Sequence, residues 1–276
     1  MAPYRAAAGT RAPDVLVCAG LDPSGGAGLI ADVRVVSDLG GRPAGVVTAL
    51  TVQNTTGVVD SQACDPDLVG HQLAFLLTDV EVRAVKIGMV GSTAIAKAIA
   101  NALHLTNAPV VWDPILAPTR GNVQFIEGPG GSARDRAAFD EALAAMRPHL
   151  TIVTPNKHEL FQLTALPTGD QVMAEVAALV LAKRLDCAVL LKGGHFTSDD
   201  ESVDILVTAR ERHELRGKRI EGGEDVHGTG CALSSAIATY LAHGRELLEA
   251  CQLAKQYVAG LIENPAQPGR GASAVV

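Results

Sequence analysis

Asp225-Val-His-Gly-Thr-Gly-Cys-Ala-Leu-Ser-Ser-Ala236 carries a loop into an apolar, alanine-rich segment with the pattern of a helix. Gly228 and Gly230 stand at the junction, where glycine lets main-chain N–H groups turn to one side. The first helical turn adds unpaired N–H groups and a partial positive charge. Together they form a cradle for an anion, most often a phosphate. The backbone of Gly228, Thr229, Gly230 and Cys231 is therefore expected to stabilise charge on a transferring phosphoryl group. Cys231 falls at the mouth of the cradle, where helix-end charge is expected to depress its pKa and speed its alkylation.

Upstream of this stretch, short apolar runs alternate with helical patterns. The runs 15–19, 45–50, 85–87, 110–112, 151–153, 188–191 and 205–207 are bounded by Gly, Pro or Asp and read as buried strands. Residues 93–105 and 134–146 repeat apolar positions at helical spacing, as in Ile95, Ile99, Leu103 and in Phe139, Leu143, Met146. In 171–185 the inward face is expected to be Val172, Val176, Leu179, Val180 and Lys183, widened by Met173, Ala177 and Leu181. The alternation predicts an α/β fold, a mostly parallel sheet with helices on both faces. No internal repeat or shift in composition divides the chain. One domain over 14–264 is expected, with irregular segments at 1–13 and 265–276.

The bulk properties narrow the partners. The chain has 276 residues, 47% hydrophobic and 19% charged, enough for a large core. A net charge of −7 argues against nucleic acid or an anionic membrane as the main partner. The five cysteines, Cys18, Cys64, Cys187, Cys231 and Cys251, show no CxxC spacing. They read as free thiols in a reducing compartment, the cytoplasm, and give no zinc signature. No apolar run reaches the length of a membrane-spanning helix, and residues 1–13 lack the apolar stretch of a signal peptide.

In open α/β sheets ligands bind at the C-terminal ends of strands, and the remaining motifs follow strands. Ala19-Gly-Leu-Asp-Pro-Ser-Gly-Gly-Ala-Gly-Leu-Ile-Ala-Asp32 reads as a turn into a helix, with Asp22 and Ser24 as turn or cap residues. Asp32, about a turn into that helix, is a candidate to accept hydrogen bonds from a ligand. Gln53 ends a strand and is either a loop amide or the reader of a nitrogen heterocycle. Met89, in Lys86-Ile-Gly-Met89, is either core or a soft wall against a flat ring. Asp113, before Pro114, and Glu159 are candidate magnesium ligands. Asn156 and Glu159 also have the spacing of a capping box. Lys192 is either a phosphate-neutralising cation or a strand-end lysine in solvent.

AGLDPSGGAGLIAD, TALTVQNTTGV, KIGM, WDPIL, TPNKHE, LKGGH and DVHGTGCALSSAIA occur in this order across residues 18–238. The set resembles hydroxymethylpyrimidine/phosphomethylpyrimidine kinase of thiamine biosynthesis, in the ribokinase-like superfamily. HGTGC is the specific element, because sugar kinases of that superfamily carry Asp at the position of Cys231. The resemblance implies a three-layer α/β/α sandwich and ATP with Mg²⁺. It implies phosphorylation of 4-amino-5-hydroxymethyl-2-methylpyrimidine and then of its monophosphate. The pyrimidine pocket would comprise Ala27, Asp32, Gln53, Met89 and Ile115. ATP would meet Asn156, Lys192, Gly228 and Gly230, and Cys231 would sit beside the attacking oxygen. A homodimer is the expected assembly. The chain departs from the family at Leu116-Ala-Pro-Thr-Arg-Gly121, where Thr119 and Arg120 replace a usual loop lysine, and at Gly269-Arg-Gly271, where Gly-His-Gly is common. Pyridoxal or pyridoxine phosphorylation on the same fold, and a pyrimidine-binding regulator without catalysis, are the alternatives.

Overall fold

The computed structural model describes residues 12–115, 133–193 and 201–275. A nine-stranded sheet runs through it in the order β3-β2-β1-β4-β5-β6-β7-β8-β9. Its parallel body comprises β2 (Arg42–Asn54), β1 (Asp14–Leu21), β4 (Val82–Ile87), β5 (Val110–Trp112), β6 (Leu150–Val153) and β7 (Ala188–Leu191). Antiparallel pairings extend it on both flanks, one on one side and two on the other. β3 (Gly57–Ala63) folds back on β2, and β8 (Glu201–Val207) and β9 (Arg212–Lys218) continue from β7.

The parallel strands are apolar throughout because both faces are covered. Along β1, Leu16 and Cys18 face one core while Val15, Val17 and Ala19 face the other. The first core is packed by α2 (Pro66–Leu77), α3 (Thr93–Leu103), α4 (Ala133–Met146), α5 (Lys157–Thr164) and α6 (Gln171–Leu185). The second is packed by α1 (Gly28–Asp38), α7 (Thr229–Ala242) and α8 (Leu247–Glu263). This is the expected three-layer sandwich. α7 is the central helix of its layer: every residue from Cys231 to Tyr240 is buried. That explains its alanine-rich, serine-bearing sequence, since small side chains let a helix lie close to the sheet.

One expectation is corrected. The inward face of α6 is Ala174, Ala177, Ala178, Leu181, Ala182 and Leu185, whereas Val172, Met173, Val176 and Val180 are exposed. Alanines, not the larger valines, fit the close approach to the sheet, so size misled the periodicity. Residues 265–275 contain no helix or strand, and the segment is packed. Ala274 and Val275 are buried, and Ala274 bridges both Ala266 and His227. The strands β3 and β9, short of apolar residues and largely exposed, carried no apolar run long enough to reveal them.

Candidate active site

The expected motifs converge where β1, β4, β5, β6 and β7 end and α7 begins, around one large cavity. Gly228 caps α7 with φ +86°, and a Cβ there would fall 2.1 Å from the carbonyl oxygen of Gly26. Only glycine meets both demands. No side chain caps α7, so the N–H groups of its first turn face the cavity beside Thr229, Gly230 and Cys231. The glycine-capped, open helix start expected at Gly228 is present.

Cys231 lines the cavity, but its expected acidity is overturned. Burial pushes its pKa up to about 12, and nearby Lys86 offsets this only in part. The sulfur accepts a hydrogen bond from the backbone N–H of Gly28. Loss of hydration outweighs the helix-end charge, so the thiol is neutral at physiological pH. Cys18, Cys187 and Cys251 are likewise pushed up to about 12 by burial.

Beside the helix start Lys192 joins two carboxylates; a Cβ on Gly230 would lie 3.3 Å from its Nζ and 3.6 Å from Asp113 Oδ2. Its Nζ donates to Asp113 Oδ1 at 2.8 Å and lies 3.5 Å from Glu159 Oε2. Thr154 Oγ1 donates to the same Asp113 oxygen at 3.1 Å. Burial, offset in part by Lys192, holds the Glu159 pKa up at about 7. The capping box is present as well. Asn156 Oδ1 accepts from the N–H groups of His158 and Glu159, while Glu159 Oε2 accepts from Asn156 N–H at 2.7 Å. Glu159 thus has a capping role and a place in the acidic cluster. Lys192 is neither a free phosphate cation nor a solvated lysine in this state. Both carboxylates supply the hard oxygen donors that Mg²⁺ accepts, and Mg²⁺ ordinarily needs only one or two from protein. The pair suits a cation carried mainly by phosphates, with Lys192 as its competitor. Among the described residues no group of three or more His, Cys, Asp or Glu could hold a metal by itself.

The third region of the cavity is apolar. Met89, Ala49 and Val58 are buried together, with Ile115 packed against them. Ala27 and Gln53 complete the expected pocket. Asp32 does not. It has no exposed surface: Lys86 Nζ donates to its Oδ2 at 2.6 Å and Ser235 Oγ to its Oδ1 at 2.7 Å. Both oxygens are taken by the chain itself, so the expectation that Asp32 touches a ligand directly is corrected. Lys86, which reaches the cavity wall, was quoted only as part of a motif. A lysine within the apolar run Val82–Ile87 is the signal, because a buried ammonium needs a buried carboxylate. His227 was also missed; it touches both Asp22 and Gln53. Asp22 makes the expected turn, accepting from Ser24 N–H at 2.8 Å. Thr119 and Arg120 lie outside the described residues.

The family described as phosphomethylpyrimidine kinase matches residues 22–276. The chain is 37% identical over 251 residues to a hydroxymethylpyrimidine/phosphomethylpyrimidine kinase of Streptomyces coelicolor, covering 91% of this chain and 88% of that one. A solved phosphomethylpyrimidine kinase from Clostridium difficile 630 superposes with a TM-score of 0.72 at 31% identity, covering 91% of this chain and 100% of that one. Pyridoxal kinase from Staphylococcus aureus in complex with pyridoxal superposes with a TM-score of 0.82 at 26% identity, over 97% and 94% of the two chains.

Proposed function

The chain belongs to the phosphomethylpyrimidine kinase family, and we propose that it transfers phosphoryl groups from ATP in thiamine biosynthesis. The acceptors are the hydroxymethyl group of 4-amino-5-hydroxymethyl-2-methylpyrimidine and then the resulting monophosphate. One observation carries the reading: a single cavity joins an uncapped helix start at Gly228–Cys231, the Asp113–Lys192–Glu159 cluster and the apolar wall of Met89 and Ile115.

In this reading the ring lies against Met89 and Ile115, with Gln53 at its polar edge. The backbone N–H groups at 228–231 stabilise the charge on the transferring phosphoryl group. Asn156 and Lys192 face the nucleotide phosphates. Asp113 and Glu159 would hold Mg²⁺, which neutralises phosphate charge when bound. Lys192 exchanges its carboxylate partners for phosphate oxygens. Cys231, a neutral thiol, positions the hydroxyl rather than taking its proton. Phosphoryl transfer through a loose transition state does not demand early deprotonation.

The protein acts as one kinase domain over 14–264, in the cytoplasm. No helix among the described residues is long and apolar enough to cross a membrane. A homodimer is supported by exposed apolar residues on the sheet edge: Leu50 and Val52 on one face of β2, and Val59 on β3. The test is a coupled assay that offers the pyrimidine alcohol and its monophosphate separately, with ATP and magnesium. Absence of turnover on both removes this reading. Phosphorylation of pyridoxal is the second reading, favoured by the fold similarity to pyridoxal kinase. A regulator that binds without catalysis has no use for the Asp113–Lys192–Glu159 cluster.

A further inference from the structure

His227 precedes the cradle and lies over Gln53. Its backbone is pinned by the tail: its N–H donates to Ser273 O at 2.8 Å, and its carbonyl accepts from Val275 N–H at 3.1 Å. Its Nε2 lies 3.1 Å from Gln53 Nε2 and 3.4 Å from Asp22 Oδ2. Asp22 is the charged group facing the ring nitrogen, and it is buried. Burial raises its pKa, but hydrogen bonds from His227 and Ser24 outweigh this and hold it below the ordinary range. Asp22 is therefore a carboxylate.

A carboxylate facing a ring nitrogen favours N–H over a lone pair. With a proton on Nε2, the carboxamide atom 3.1 Å away has to be an acceptor. A half turn about the last side-chain bond of Gln53 puts its oxygen there and its NH₂ toward Thr51, because the two ends of a carboxamide are nearly the same size. Thr51 Oγ1 lies 3.3 Å from that other end and donates its own proton to Leu21 O at 2.8 Å. Its lone pairs are free to receive the NH₂. Asp22 and the Gln53 oxygen then share the Nε2 proton, Thr51 receives one N–H of the amide, and no two lone pairs face each other. The opposite arrangement sets a lone pair of His227 against the Asp22 carboxylate and asks one Thr51 proton to serve two carbonyl oxygens.

We infer that His227, held by Asp22, is a positioning residue that fixes which way round Gln53 presents its amide to the substrate. This rests on the kinase reading above. His227 takes one lone pair of the amide oxygen, and Thr51 takes one N–H. One lone pair and one N–H remain, in a fixed order. Their complement is a ring nitrogen beside an exocyclic amino group, the edge of a 4-aminopyrimidine. Pyridoxal has no such adjacent pair, because a ring carbon bearing a methyl group separates its nitrogen from the carbon bearing its hydroxyl. The Asp22–His227–Gln53 line is thus a device for choosing between two flat heteroaromatic alcohols.

The test combines a spectroscopic and a kinetic measurement on the full chain. Long-range ¹⁵N–¹H correlation of the histidine rings reads the His227 tautomer directly, assigned by the ring signals missing from His227→Gln. A proton on Nε2 is expected, and an Nδ1–H tautomer with bare Nε2 overturns the inference. His227→Phe keeps the ring packing but loses the N–H. It should raise KM for the pyrimidine alcohol about tenfold with kcat nearly kept, and narrow the preference over pyridoxal by a similar factor. His227→Gln, which restores an N–H donor, should recover most of both. Unchanged KM and unchanged preference in His227→Phe overturn the inference; if that variant does not fold, the tautomer decides. The unsubstituted protein is assayed first. Its failure to phosphorylate the pyrimidine alcohol removes the kinase reading, an outcome distinct from normal turnover with an indifferent His227.

Discussion

Lys86 and Asp32 form an ion pair with no exposed surface on either side chain, the ammonium 2.6 Å from the carboxylate. The pair ties the end of β4 to α1, and Ser235 of α7 completes it. It holds in register three of the elements that surround the cavity. A buried pair of this kind adds little over a well-packed apolar replacement, but breaking one half leaves a bare charge in the core.

Lys86→Met is therefore expected to lower stability by about 3–5 kcal/mol. Adding Asp32→Asn should return part of that loss, since an amide still accepts from Ser235 and no longer carries a charge. Urea unfolding of the two variants checks this. A double variant no more stable than Lys86→Met would show that the pair does not act as a unit.

Much of the site was legible because strand ends carry its residues. Asp113, Asn156, Glu159, Lys192 and Gly228 each follow an apolar run or open a helix, and the structure brings them to one cavity. Asp32 was misread because a sequence shows that a carboxylate is close to a site without showing what already holds it. Its partners Lys86 and Ser235 are 54 and 203 residues away. Cys231 was misread for a related reason: a helix start is visible in sequence, while the depth of burial that opposes it is not. The packed tail was illegible because backbone hydrogen bonds hold much of it, and two buried side chains, Ala274 and Val275, make no periodic pattern.

Glu159 should make stability depend on pH in metal-free buffer. Its pKa is raised from the ordinary carboxyl range to about 7 in the folded chain. The folded state therefore holds a proton that the unfolded state releases. The stabilisation is complete below the unfolded pKa and is lost as pH rises to about 7. Glu159→Gln should remove that part of the decline, measured by thermal unfolding between pH 5 and pH 8. An identical slope in the variant would assign the decline to other groups.

Removal of residues 265–276 should weaken both the cradle and the pocket. The tail donates to Thr55 through Ala272 at 2.8 Å and meets His227 on both of its backbone groups. It also buries Val275 against the second core. A loss of about 2 kcal/mol is expected, a fall in Tm of about 4–6 °C. KM for the pyrimidine alcohol should rise with it, because Gln53 and His227 lose their support. Unchanged KM in a destabilised truncation would confine the tail to stability.

Cys231 should behave as a positioning thiol and not as a base. With burial pushing its pKa up to about 12, very little of it carries the thiolate at pH 8. Alkylation should therefore begin at Cys64, which is only partly buried, and reach Cys231 late. Mass-spectrometric mapping of the first modified site gives the order. Cys231→Ser keeps a hydrogen-bonding group of similar size, so most turnover should survive. Cys231→Ala loses that group, and the fall should be about tenfold or less and alike for the alcohol and the monophosphate. A base would act differently on the two, because only the alcohol has a proton to lose at neutral pH. The pH–rate profile of the alcohol reaction adds an independent check. An ionisation between pH 6 and pH 9 that disappears in Cys231→Ser would show that bound substrate lowers the thiol pKa far enough for base catalysis.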